Sequence, residues 1–217
     1  MEDKAALEAQ LVDRARDLGP ELVERARQAE LDRRVSTETD RDFREAGFYR
    51  ALQPARYGGM ELDYGAQTAF ARDLGCSCAS SAWVGGILAC HGWMAAMFPD
   101  QPQREIWGDD SDVAVATSFL PVSVSAERNG DDLHISGRWR FSSWVAHCGW
   151  AVLMVPVLAK GGNGPPDPVF GMVDLAHCKV EDAWNRAGLT ASGSNDIFVE
   201  RAVITPHRMM RVRDLRG

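Results

Sequence analysis

From Lys4 onward, apolar and charged positions alternate with a helical period. "KAALEAQLVDRARDL" sets Leu7, Leu11, Ala15 and Leu18 on one face and charges elsewhere, the stripe of an amphipathic helix. Gly19 stops that helix, and Pro20, suited to a first turn, opens the next, "PELVERARQAELDRR". "STETDRDFREAGF" begins on cap residues, carries Phe43 and Ala46, and ends at Gly47. "ALQPARYGGMELDYG", with Pro54, Gly58, Gly59 and Gly65, reads as a loop. Helices over roughly 64–75 and 79–98 follow, then a short one at "QPQREIW".

From about residue 112 the period shortens. "DVAVATSF", "PVSVSAE", "DLHISGRWRFS", "GWAVLMVPV", "PVFGMVDL", "CKVEDAW" and "DIFVERAVI" are short runs rich in Val, Ile and aromatics. Breaks such as Gly-Gly-Asn-Gly-Pro-Pro separate them, and "ERNGDDLHISG" predicts a hairpin turning at Asn129-Gly130. Helices first and strands second predict an α+β protein. An N-terminal helical domain (1–110) precedes an antiparallel β-barrel or sandwich domain (111–217). Neither G-x-G-x-x-G nor a Walker loop occurs, so phosphate binding by those routes is unsupported.

Composition narrows the function classes. A net charge of −7 over 217 residues argues against nucleic acid as the main partner. The one basic cluster, "HRMMRVRDLRG" with Arg208, Arg211, Arg213 and Arg216, reads as a solvated end. The longest apolar stretch, "AWVGGILACHGWMAAMF", is interrupted by Gly85, Gly86, His91 and Gly92, and so predicts a buried helix rather than a membrane span. The charged start "MEDKAALEAQ" lacks the pattern of a secretory signal. Five cysteines without framework spacing suit free thiols in a reducing cytoplasm. Three Cys–His neighbours (Cys90–His91, His147–Cys148, His177–Cys178) lack the spacings of a metal site, and no metal is expected.

The chemistry concentrates in "GRWRFSSWVAHCGW", residues 137–150. Trp139, Trp144 and Trp150 crowd around Ser142, Ser143 and His147. Either this strand meets a flat, partly polar ligand, or Trp139 and Phe141 simply fill a barrel interior. His91 stands on an apolar helix beside Gly92. It is either a general base, for which imidazole suits neutral pH, or a core histidine bonded to a carbonyl. Trp83 lies eight residues before His91 and is assigned to the same face, as pocket wall or as core.

Four stretches carry a family resemblance: "RYGGMELDYG" (56–65), "CASSAWVGGILACHGWMAAMFP" (78–99), "SGRWRFSSWVAHCGW" (136–150) and "WNRAGLTASGSNDIFVERAVITPHR" (184–208). In this order they resemble the acyl-CoA dehydrogenase fold, and more closely the oxygenase components of two-component flavin-dependent aromatic hydroxylases. True acyl-CoA dehydrogenases tend to show W-I-T-N and an upstream T-E-P-x-A-G-S-D. This chain has "WRFSS" and "TSFLPVSVS" instead. The hydroxylase pattern is near S-G-x-W-x-F-x-S-G-x-x-H-x-x-W, and Trp144 stands where that pattern has glycine.

The resemblance implies a reduced FMN or FAD, delivered by a separate NAD(P)H:flavin reductase, that activates O2 as a C4a-hydroperoxide to hydroxylate a phenolic small molecule. By the motif, Ser143 would stand near flavin N5 and steady the adduct, and His91 would be the base. Thr117 and Ser118 would line the pyrimidine side. Trp139, Phe141 and Ser142 would line the ring, with Ser192 and Ser194 where backbone approaches the cofactor. His147 ranks below His91 as a contact. Such proteins continue into a C-terminal four-helix bundle that completes the pocket and builds a tetramer, and this sequence stops short of it. A homo-oligomer or a partner chain carrying that half is expected. The rival readings are an FAD-dependent desaturase and a non-catalytic partner subunit of a split flavoenzyme.

Overall fold

The computed structural model describes residues 3–157 and 167–214. The Gly-Gly-Asn-Gly-Pro-Pro break and Arg216 lie outside the described residues. The helices are α1 (Lys4–Asp17), α2 (Gly19–Asp32), α3 (Thr37–Ala46), α4 (Gly65–Gly75), α5 (Ala79–Ala96) and α6 (Asp100–Trp107). Local chemistry sets their ends. Asp3 caps α1 by accepting from the Ala5 amide at 3.1 Å, and Ser36 caps α3 through the Thr39 amide at 3.2 Å. Gly47, at φ +83°, ends α3 in the left-handed conformation that glycine adopts without a Cβ clash.

The strands are β1 (Val115–Ser118), β2 (Leu120–Asn129), β3 (Asp132–Ser142), β4 (Trp150–Val155), β5 (Val169–Asp174), β6 (Lys179–Glu181), β7 (Asn195–Ile204) and β8 (Met209–Arg211). They form two four-stranded sheets, ordered β1-β4-β5-β8 and β2-β3-β7-β6. The Asn129-Gly130 hairpin is present, with Asn129 opposite Asp132. Pairing is antiparallel with one exception. β1 lies parallel to β4, Val115 facing Trp150, so the sandwich is mixed where the sequence predicted it wholly antiparallel. The reason is burial on both sides: every residue of β1 is buried, as parallel pairing favours.

Three apolar clusters hold the molecule. One fills the sandwich around Trp139, Ile135, Leu153 and Ile197. A second lies among the helices, around Phe43, Phe48 and Phe70, and takes in Trp144 and Ala191 from the strand region. The third joins the end of α5 and α6 (Met94, Phe98, Trp107) to the outer face of β1, β4 and β5. Helices and sheets therefore share core rather than meeting at a polar seam. Among the described residues no helix is long and apolar enough to cross a membrane.

The basic tail is not a solvated end over its described part. Arg208 donates from Nε to Glu105 on α6 at 2.6 Å, and its guanidinium stacks over Trp150 at 4.9 Å. Met209–Arg211 then adds an edge strand to β5. Charge along a segment says little about burial when the aliphatic stem of arginine can pack and its head can pair.

Candidate active site

At the end of β3 the chain turns a tight corner, and two large residues take left-handed backbone there: Phe141 at φ +62° and Trp144 at φ +57°. That region costs an L-residue roughly 1–2 kcal/mol, so the surroundings must hold both. Buried Asp196 accepts from the Phe141 amide at 3.2 Å and from Arg138 Nε at 2.7 Å. The Trp144 amide donates to the carbonyls of Ser192 (3.1 Å) and Gly193 (3.2 Å). Its indole Nε1 donates to Asp40 Oδ1 at 2.8 Å, and its ring stacks on His147 with centroids 4.1 Å apart. Trp144 therefore holds a conformation that glycine adopts freely, with the buried indole as an anchor to α3.

Asp40 also receives Tyr49 Oη at 2.9 Å and Arg44 Nε at 2.8 Å. Burial pushes its carboxyl up, and the hydrogen bonds from Arg44 and Trp144 more than offset this, holding it below its ordinary value. His147 is held below its ordinary value by partial burial. The corner thus rests on an ionised, fully partnered carboxylate.

This corner aims Phe141 and Ser143 into a pocket of about 220 Å³, lined also by Trp83, Trp184, Arg186, Leu189, Ser192 and Ser194. Phe141 meets Trp184 edge-on at 5.7 Å, and the guanidiniums of Arg140 and Arg186 lie 4.6 and 5.3 Å from the Phe141 ring. A line of hydroxyls forms the polar side. Trp83 Nε1 donates to Ser143 Oγ at 2.9 Å; Ser143 and Ser194 Oγ are 2.9 Å apart, and Ser194 and Ser192 Oγ 2.7 Å. Five residues singled out in the sequence (Trp83, Phe141, Ser143, Ser192, Ser194) come together here.

The other five do not line the pocket. Trp139 is fully buried in the sandwich and donates from Nε1 to the Met154 carbonyl at 2.7 Å, so it is core and not ring wall. Ser142 donates to the Thr117 carbonyl at 3.0 Å and Ser118 to the Arg140 carbonyl at 2.6 Å. Both hydroxyls thereby tie β1 to β3 across the sheets instead of meeting a ligand. Ser142 is the last residue of β3 and Ser143 stands in the turn that follows it, so the two hydroxyls part company.

His91 is buried: Nδ1 lies 3.0 Å from the Val115 carbonyl and Nε2 2.9 Å from Thr117 Oγ1. A carbonyl only accepts, so Nδ1 carries the proton and Nε2 accepts from the threonine hydroxyl. Burial pulls its pKa down to about 4. It does not line the pocket that Trp83 lines. Eight residues of α-helix carry the chain about 80° past two full turns, so the shared face read from the spacing is not shared.

Trp184, Arg186 and Leu189 were missed as site residues. They stand in the family-like stretch 184–208, but no period or motif marks them, because an irregular loop delivers them. Asp196 was missed too; a lone carboxylate in a strand has no signal until its partners are seen.

Residues 6–109 match the acyl-CoA dehydrogenase N-terminal domain. A solved 3-HSA hydroxylase from Rhodococcus sp. RHA1 superposes with a TM-score of 0.87 at 33% identity, covering 94% of this chain and 53% of that one. The chain has the acyl-CoA dehydrogenase fold. Among relatives on that fold, the flavin-dependent monooxygenase oxygenase subunit HsaA of Rhodococcus jostii is 34% identical over 88% of this chain and 49% of its own length. The oxygenase component of an FADH(2)-dependent resorcinol hydroxylase from Rhizobium sp. is 29% identical over 87% of this chain and 46% of its own. The chain spans about half the length of the relatives it matches.

The pocket suits one face and edge of a flavin ring: apolar aromatic wall on one side, hydroxyls on the other. At about 220 Å³ it falls below the ~300 Å³ at which small-molecule sites begin.

Proposed function

We propose that this chain is the flavin-binding N-terminal half of an oxygenase component that hydroxylates a phenolic small molecule. The observation that carries the reading is the Ser143 corner. A hydroxyl anchored by Trp83 and Ser194 borders a pocket that the aromatic rings Phe141 and Trp184 also line, in a chain similar to oxygenase components along nearly its whole length. Reduced FMN or FAD, supplied by a separate NAD(P)H:flavin reductase, would bring the oxygen-activating chemistry when bound. The residues of this chain hold and orient it: Phe141 and Trp184 as wall, Ser143 as hydrogen-bond donor to the polar edge. Arg186, in the pocket lining, would balance a reduced, anionic ring.

His91 acts, on this reading, through Thr117. At neutral pH its unprotonated Nε2 accepts from the Thr117 hydroxyl, which would stand between it and a substrate. A proton leaving a phenol would pass to Thr117 Oγ1 as the threonine proton passes to His91. The free thiols, of which Cys78 is buried and Cys148 half-buried, suit a reducing cytoplasm. The second side of the site would come from a C-terminal half, in a homo-oligomer or a partner chain.

Anaerobic titration with reduced FMN and then reduced FAD, read by protein fluorescence, tests the reading. Saturable binding of either is expected. Failure of both to bind sinks flavin binding by this half and favours a non-catalytic subunit.

A further inference from the structure

The hydroxyl line has a polarity, and it can be worked out proton by proton. An indole N–H only donates, so Ser143 Oγ accepts from Trp83. At the far end, Ser192 is fully buried and its hydroxyl meets only Ser194 among the described residues. A buried donor left without an acceptor is costlier than a spare lone pair, so Ser192 donates to Ser194. Ser194 has one proton and two hydroxyl neighbours. Having accepted from Ser192, it donates to Ser143. Ser143 then holds two accepted hydrogen bonds, and its own proton is the one in the line with no acceptor inside the chain. The Ser143 side chain borders the pocket.

We propose that Trp83 is a positioning residue: with the Ser192–Ser194 pair, its indole N–H locks Ser143 as an obligate donor whose proton points at the ligand. Two accepted bonds also polarise that O–H and strengthen the donation. The ligand class this selects is a planar heteroaromatic with an unprotonated nitrogen or oxygen acceptor at its edge; the assignment to flavin rests on the function proposed above. Trp83 is 43% exposed. Its indole N–H nonetheless has its partner within the chain, in Ser143.

Two arms test this. In the full chain without flavin, the Trp83 indole N–H resonance, identified by its loss in Trp83→Phe, moves upfield in Ser143→Ala more than any other tryptophan's. It stays in place in Ser143→Thr, which keeps the oxygen. A Trp83 resonance indifferent to Ser143→Ala overturns the proposal. In the second arm, reduced-flavin affinity is measured across Trp83→Phe, Ser143→Ala and the double variant. Trp83→Phe weakens binding about fivefold when Ser143 is present, the worth of one ordinary hydrogen bond, and has no effect once Ser143 is alanine. Equal losses in both backgrounds make Trp83 a wall rather than a positioning residue and overturn the proposal. A chain that binds no flavin at all sinks the ligand assignment, while the first arm, which contains none, still decides the wiring.

Discussion

Trp144 shows how a single residue can keep a backbone shape its chemistry disfavours. Its left-handed conformation costs roughly 1 kcal/mol or more. Full burial against the helical core, the bond to Asp40 and the stack on His147 outweigh this. Trp144→Gly would relieve the backbone and lose the anchor. Truncating a buried tryptophan costs about 3 kcal/mol or more, so a net loss of about 2 kcal/mol is expected in urea denaturation. A more stable glycine variant would mean that the anchor contributes nothing.

His91 carries a second residue-scale prediction. Its folded pKa, about 4, is below its ordinary value of 6.5. The unfolded chain therefore binds the proton first as pH falls, and stability present above pH 6.5 is lost between 6.5 and 4. From this residue alone the loss is at most about 3 kcal/mol. His91→Gln, which offers a donor and an acceptor without titrating, should flatten stability over that window. Denaturation midpoints from pH 7 to 4 check it, and parallel curves for the two proteins refute the assignment.

At the scale of elements, the end of β3 is shaped by β7 through one carboxylate. Asp196 holds the Phe141 amide and Arg138. Asp196→Ala leaves both without it, at a cost of about 2 kcal/mol, less than a fully buried pair because Arg138 is part-exposed. The Phe141 amide should then exchange with solvent much faster while the β3–β7 ladder beyond Gly137 keeps its protection. Unchanged exchange at Phe141 would show that the corner holds itself. Helix α5 raises a different issue. It is apolar nearly all round, and Trp83, Ile87, Cys90 and Trp93 form its outward face.

For the whole molecule that face matters. Trp83, Trp93 and Tyr64 are 43%, 40% and 47% exposed, a concentration of aromatic surface that ordinarily marks an interface. Sedimentation velocity over a concentration series should show self-association that Trp93→Glu weakens with no change in far-UV circular dichroism. A monomer at all concentrations would remove the oligomer from the proposed function. The one-sided pocket bordering this face points the same way.

How much of this was legible beforehand differs by kind of feature. The helices and strands were readable because period and punctuation are local: Gly19-Pro20, Gly47 and Asn129-Gly130 each act within a turn or two. The Ser143 motif was readable as well, since the residues of a strand end stay adjacent in sequence. What only the tertiary structure decided is which hydroxyl borders the pocket and which is consumed. Ser142 and Ser143 are neighbours of the same type, and only the Thr117 carbonyl beneath one and Trp83 above the other separate them. The same holds for His91, whose role turns on β1 packing against α5, and for Trp139, whose core position depends on Met154 across the sandwich. Sequence alone determined the elements and part of the site's composition, the serines and Phe141 of the motif stretches. Packing between distant elements determined the direction of each side chain and the partner of each proton, because hydrogen-bond satisfaction is settled only once the chain has closed on itself.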